Sequence, residues 1–297
     1  MTRYAPLLLI ALLWAPPSLA QNAMADVTIE TVQVADNLYM LVGRGGNIGL
    51  SVGDDGAFMI DDQFAPLTDT ILEAVAALTD ASVRFVVNTH WHGDHTGGNE
   101  NMGAAGALIV AHENVRRRMS TEPFTAAVNR TTPPSPEAAL PVITFTDEVT
   151  FHWNDDVLRV LHLLHAHTDG DAVIHFAEAH AVHMGDTYFN GFYPYIDVSA
   201  GGTIDGVIHV ARTVIEMSDE DTAILPGHGP LSSQAELQAY HDLLVELRDG
   251  IQALIDQGLG RDEVIAAKPT RAYDAQYGQG FMQPDLCTGL VYDSLTK

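Results

Sequence analysis

Asn88–Glu100 reads NTHWHGDHTGGNE, which places His90, His92, Asp94 and His95 within six residues. Imidazoles packed this closely repel one another once protonated, so packing alone is a poor reason to gather them. A cation is a better one. In extended or tight-loop backbone, side chains at i and i+2 share a face, so His90 and His92 point the same way. With a third imidazole they make a three-nitrogen site for Zn²⁺ that leaves a position open for water. Asp94 and His95 project elsewhere from the same loop and could hold a second ion. Two such ions, about 3.5–4 Å apart, lower the pKa of a shared water and clamp both ends of a breaking bond.

Three later turns carry the same residue types. Leu163–Asp171 reads LLHAHTDGD and places His167 at the end of an apolar run. Val182–Thr187 reads VHMGDT and places Asp186 just past another, where a carboxylate could bridge two ions. Ile224–Pro230 reads ILPGHGP and brings His228 past a third. Each ligand-type residue follows a strand-like run and sits beside Gly or Thr, where the chain turns. Ligands of α/β sheets bind beyond the carboxyl ends of strands, so chemistry is expected here.

The elements that must position these residues are legible as alternating apolar runs. VTIETVQV, NLYMLVG, NIGLSVG and AFMIDD read as successive strands separated by Asp-Asn, Gly-Gly and Asp-Asp-Gly turns. PLTDTILEAVAALTD spaces Ile71, Val75 and Leu78 for a helix, with Thr68 as its expected cap. RFVVNTH is the strand that delivers His90. A short strand (ALIVA), a helix (HENVRRRMS) and a Pro/Thr-rich loop, 121–136, follow. The second half repeats the plan with PVITF, VTFHW, VLRVLHLL, AVIHFA and HAVHMG, a long loop 186–202, a helix over 204–217, the strand TAIL and a helix over 232–257. Two strand-rich halves, each with helices, predict an α/β fold: two sheets packed together and covered by helices on both outer faces. No linker divides the chain.

The bulk numbers restrict the function. A chain of 297 residues with 46% hydrophobic and 18% charged content can bury a sizeable core. Thirty-nine acids against 14 Lys and Arg give a formal charge of −25, a field that repels phosphate backbones, so no nucleic-acid partner is expected. Residues 1–20 have a secretory pattern: Arg3, then the apolar run LLLIALLWA, then Ser18-Leu19-Ala20 for cleavage, with Ala23-Met24-Ala25 as a second cut site. The expectation is a signal peptide over 1–20, a catalytic domain over 21–297, and a periplasmic or secreted protein with no membrane segment after leader removal. The lone Cys287 predicts no internal disulfide and reads as a buried structural thiol.

Taken together, HWHGDH, HTDGD, the Gly-Asp of VHMGDT and PGHG resemble the metallo-β-lactamase superfamily over nearly the whole chain beyond the leader. The resemblance implies an αβ/βα sandwich of four layers with two zinc ions in the groove between the sheets. It implies His90, His92 and His167 on the first ion, Asp94, His95 and His228 on the second, and Asp186 between them. The Thr that follows His167 favours it over His162 and His165, which read as core or supporting histidines. His152, His175, His180 and His183 fall in strand patterns and His112, His209 and His241 in helical ones, all expected to be structural. Trp91 is expected to pack and Gly93 to permit a tight loop.

The family mechanism implied is attack of a metal-bound hydroxide on a carbonyl carbon, with Asp94 orienting the nucleophile. A small-molecule substrate follows, and export favours a β-lactam over a cytosolic thioester. Two departures from the family's β-lactamases of the cysteine-using class matter. They place Cys where Asp186 stands and Lys three residues later, where this chain has Phe189. Asp at the bridge resembles lactonases and thioesterases of the superfamily. Among the loop aromatics Phe189, Phe192, Tyr193 and Tyr195, expected to wall a pocket, Tyr193, like Asn190, is a candidate hydrogen-bond donor to substrate. An iron-dependent sulfur dioxygenase on the same scaffold is the reading from another class, and metal analysis separates it.

Overall fold

The computed structural model describes residues 24, 26–125 and 129–297, so the leader read over residues 1–20 lies outside the described residues. The first half builds β1 (Glu30–Ala35), β2 (Leu38–Val42), β3 (Ile48–Ser51), β4 (Ala57–Ile60), the helix α1 (Thr68–Ala76), β5 (Val83–Asn88), the short helices α2 (Gly93–Thr96) and α3 (Asn99–Ala104), β6 (Leu108–His112) and α4 (Glu113–Met119). A two-strand hairpin, β7 (Phe124–Thr125) and β8 (Arg130–Thr131), interrupts the loop read over 121–136. The edge strand β9 (Ile143–Phe145) closes a seven-stranded sheet of order β1-β2-β3-β4-β5-β6-β9.

The second half forms a six-stranded sheet in sequence order: β10 (Glu148–Trp153), β11 (Asp156–His162), β12 (Ala172–Phe176), β13 (Ala181–His183), β14 (Ala223–Leu225) and β15 (Ser232–Ser233). Between and after these lie α5 (Ile204–Met217), α6 (Gln234–Asp256), α7 (Arg261–Ala266), α8 (Asp274–Tyr277) and α9 (Pro284–Leu295).

The strands alternate as a two-faced sheet requires. In β4, Phe58 and Ile60 face the other sheet, meeting Leu158, Val160, Ile174 and Phe176, while Ala57 and Met59 face α1 through Ile71 and Val75. In the second sheet, Ile174 and Leu225 enter the central layer, while Val173, Val182 and Ile224 pack on α5 and α6. Phe58, Phe85, Phe151 and Trp153 stack edge-on or tilted across the middle, with centroids 4.9–5.7 Å apart. Helices, sheet, sheet, helices is the four-layer αβ/βα sandwich the sequence implied. No helix among the described residues is long and apolar enough to cross a membrane.

Some local expectations are corrected. Thr68 does not cap α1. A turn of 3₁₀ helix (Ala65–Leu67) runs straight into it, and the Thr68 hydroxyl instead accepts a hydrogen bond from Asn101 Nδ2 at 3.1 Å. The helix expected from residue 232 begins at Gln234, because Ser232 pairs with Ile224 in β15 and Ser233 caps the helix through a reciprocal bond with Glu236. The helices after residue 257 were not anticipated. They complete the outer layer and one wall of the site.

Candidate metal centre

Every predicted ligand lies just beyond a strand of the sandwich. His90, His92, Asp94 and His95 follow β5, His167 follows β11, Asp186 follows β13 and His228 follows β14. Their coordinating atoms gather into two sets, each within 4.8 Å: His90, His92, His167 and Asp186 in one, and Asp94, His95 and His228 in the other. The two sets meet at Asp186. Its Oδ2 lies 3.7 Å from both His90 Nε2 and His167 Nε2, and its Oδ1 lies 3.1 Å from His95 Nε2 and 3.4 Å from His228 Nε2. Asp94 Oδ2 stands 3.3 Å from His228 Nε2.

The inner ring nitrogens are free because the outer ones are engaged. His95 Nδ1 donates to Asp61 Oδ2 at 2.7 Å. His90 Nδ1 meets Thr89 Oγ1 at 3.0 Å, and that hydroxyl donates to the same Asp61 Oδ2. His167 Nδ1 donates to the Tyr195 carbonyl at 2.7 Å. His92 is reversed: its Nε2 donates to Asp197 Oδ2 at 3.1 Å, which leaves Nδ1 facing His167 Nε2 at 2.9 Å. Each outer partner fixes a tautomer and aims a lone pair inward.

His90 Nε2, His95 Nε2 and Asp186 Oδ1 are buried without any hydrogen bond, and all three point at the common centre. Buried polar atoms of this kind are rare unless something satisfies them. The electrostatics ask for positive charge. Burial first, then the neighbouring imidazoles, hold His90 well below its ordinary pKa and His167 at about 4, so both are neutral as ligands must be. Burial also opposes charge on His95 and His228, but Asp186 and Asp94 override it, raising His95 well above normal and His228 to about 9. Against its own burial, Asp94 is drawn down to about 2 by His95 and His228. Divalent cations would satisfy these orphaned atoms and balance Asp94 and Asp186, so the residues fit two ions.

Backbone crowding shapes the floor. A Cβ on Gly227 would sit 2.1 Å from Asp186 Oδ1, and one on Gly46 would sit 2.1 Å from the His95 ring. Gly93 differs from expectation, since its backbone is ordinary and a side chain there would enter open space. Its bareness leaves the mouth of the site open rather than turning the chain.

A cleft of about 370 Å³ opens over the two sets, lined by His92, Asp94, Asp186 and His228 on the floor and by Trp91, Met119, Pro123, Tyr195, Phe281, Met282 and Leu286 on the walls. Of the predicted aromatics, Tyr195 reaches the cleft and stacks on His92 at 5.6 Å. Phe189 is buried beneath it, its ring parallel to His228. Phe192 packs on Phe281. Tyr193 does not join them: it is fully buried, and its hydroxyl donates to the Thr270 carbonyl and Asp274. Asn190 donates to the Pro230 carbonyl, and like Tyr193 it does not line the cleft. Of the remaining histidines, three have roles in the packing. His183 is bound to the Asn47 carbonyl, and His112 stacks on His162 at 3.7 Å.

The model of the metallo-β-lactamase superfamily matches residues 41–237, the stretch that carries all seven candidate ligands. The chain belongs to this superfamily. Among solved structures, a metallo-β-lactamase from Pontibacter korlensis is similar at 20% identity and TM-score 0.59, over 73% of this chain and 99% of that one. The DIM-1 metallo-β-lactamase is similar at 18% identity and TM-score 0.58, over 74% and 98%. The inverting sec-alkylsulfatase Pisa1 from Pseudomonas sp. is similar at 16% identity and TM-score 0.64 over 89% of this chain, which spans about half that enzyme's length. At these identities the likeness is one of fold. No curated protein matches the chain. Its family and its His/Asp site make the chain a metallo-β-lactamase superfamily hydrolase.

Proposed function

We propose that this hydrolase is exported, holds two zinc ions and opens a cyclic amide, with β-lactams as its substrate class. The observation that carries the reading is the division of Asp186, one oxygen toward each ligand set, at the floor of an open cleft. Bound there, two zinc ions would supply Lewis acidity and lower the pKa of a water between them.

The chain's own groups do the remaining work. Asp61, Asp197, Thr89 and the Tyr195 carbonyl hold four imidazoles in orientation, so no reorganisation is needed when charge develops. Asp94, partly open to the cleft, would orient the attacking water through the oxygen it does not turn toward His228. The same oxygen can then pass a proton to the departing nitrogen. Trp91, Tyr195, Phe281 and Met282 exclude bulk water and seat an apolar ring system. A second reading, a lactone or thioester substrate, is favoured by Asp rather than Cys at position 186 and by the absence of any basic residue in 186–202.

The zinc-loaded protein assayed with a chromogenic cephalosporin and a series of lactones, with and without chelator, tests both. Chelator-sensitive cephalosporin opening is the expected result. Turnover of lactones alone would move the assignment to the ester reading, and turnover of neither would reject both.

A further inference from the structure

The cleft is lined by one Lys or Arg side chain, Arg118, in a chain with only 14 such residues against 39 acids. Arg118 lies on α4, and its Nε and Nη2 fork onto Asp169 at 2.6 and 2.9 Å. A tie between α4 and the turn after His167 would account for that fork. It does not account for the charge. Arg117 Nη2 also meets Asp169, at 3.1 Å, so two guanidinium groups share one carboxylate and a positive charge is left over. Arg118 Nη1 makes no hydrogen bond among the described residues. The fork fixes the guanidinium plane, so its free edge is presented rather than mobile. Next along the chain, Met119 begins an apolar wall that Pro123, Phe281, Met282 and Leu286 continue.

We infer that Arg118 is the anion anchor of the cleft, and that the substrate is a carboxylate-bearing amphiphile. The carboxylate sits on Arg118, the apolar body lies along the Met119–Met282 wall, and the reacting bond lies over Asp186. This deepens the hydrolase reading on which it rests. It also supplies from α4 the cation that the 186–202 loop lacks. The carboxylates facing the cleft are Asp94, Asp186 and Glu100, and its two histidines, His92 and His228, belong to the ligand sets and would be neutral with ions bound. A carboxylate therefore has one protein cation to turn to.

The test is calorimetric titration of the full-length, zinc-loaded protein with 4-phenylbutyrate and with its neutral primary amide. The expected result is a preference of about tenfold for the carboxylate in wild type. Arg118→Gln should abolish that preference with amide affinity unchanged, and Arg118→Lys should keep part of it. Carboxylate binding that survives Arg118→Gln would place the anion on the zinc ions and overturn the inference. Equal loss of both ligands in Arg118→Gln would reduce Arg118 to a tie between α4 and the His167 turn, overturning it as well. Failure of both probes to bind wild type would do the same for the amphiphile cleft. Because no turnover is read, a protein that opens no cephalosporin can still show the preference, and the two claims fail separately.

Discussion

Replacing Asp61 by Asn probes how the second set of ligands is held. Asp61 is fully buried at the end of β4, with φ of 61°. Asn tolerates that left-handed backbone at least as well as Asp, so the variant changes charge and one acceptor without straining the chain. In the wild type, Asp61 Oδ1 accepts from the Thr89 amide at 2.7 Å, while Oδ2 accepts from the Thr89 hydroxyl and from His95 Nδ1. An Asn side chain has one acceptor for these three donors, so either His95 or the Thr89 amide loses its partner. A hydrogen bond to a charged group contributes about 1.5–3 kcal/mol. At 1.4 kcal/mol per decade, the ion on Asp94, His95 and His228 should bind roughly ten- to a hundredfold more weakly. The ion on His90, His92 and His167 feels Asp61 only through Thr89 and should lose less than about tenfold. A zinc titration competed against a chromophoric chelator resolves the two steps. Unchanged affinity in the weaker step, or equal loss in both, would refute this account of how His95 is aimed.

Other outcomes follow from the same geometry. Gly227→Ala forces a methyl against Asp186 Oδ1 and the Gly185 backbone, so metal analysis should find fewer than two ions and turnover should fall by about a hundredfold. Asp197, though buried, is brought to about 2 by the hydrogen bonds from His92 and Ser199. Its folded pKa lies below its unfolded one, so it stabilises the fold above about pH 4, and that contribution is lost as pH falls toward 2. Urea melts at pH 6 and pH 3 should show Asp197→Asn losing about 1 kcal/mol less across that interval than wild type. Burial first, and then Asp274, pushes the Cys287 thiol up to about 12. Ellman's reagent should leave the folded protein untouched and react with one thiol after guanidinium unfolding.

The candidate ligands, which the fold gathers into two sets, were legible because the sequence marks them twice, by residue type and by their place after apolar runs beside Gly or Thr. The sandwich was legible because strands such as Ala57–Ile60 alternate between two buried faces. What supports the ligands was not. Asp61 is 34 residues from His95 and Asp197 is 105 from His92, and no local pattern ties a carboxylate to an imidazole across such distances. The Asp61-Asp62 pair read only as the end of the strand AFMIDD. Tyr193 and Tyr195 are alike in sequence, yet one hydroxyl is taken up by Thr270 and Asp274 while the other ring stacks on His92. That choice depends on α8, a four-residue helix too short to show a period. Phe281, Met282 and Leu286 wall the cleft from the same C-terminal stretch, where apolar spacing gave no warning.

Anomalous diffraction at the zinc edge, from crystals of the metal-loaded protein, addresses the central claim most directly. Two peaks about 3.5–4 Å apart are expected, one against His90, His92 and His167, the other against Asp94, His95 and His228, with Asp186 between them. A single peak, or density at any other cluster of side chains, would contradict the two-ion site.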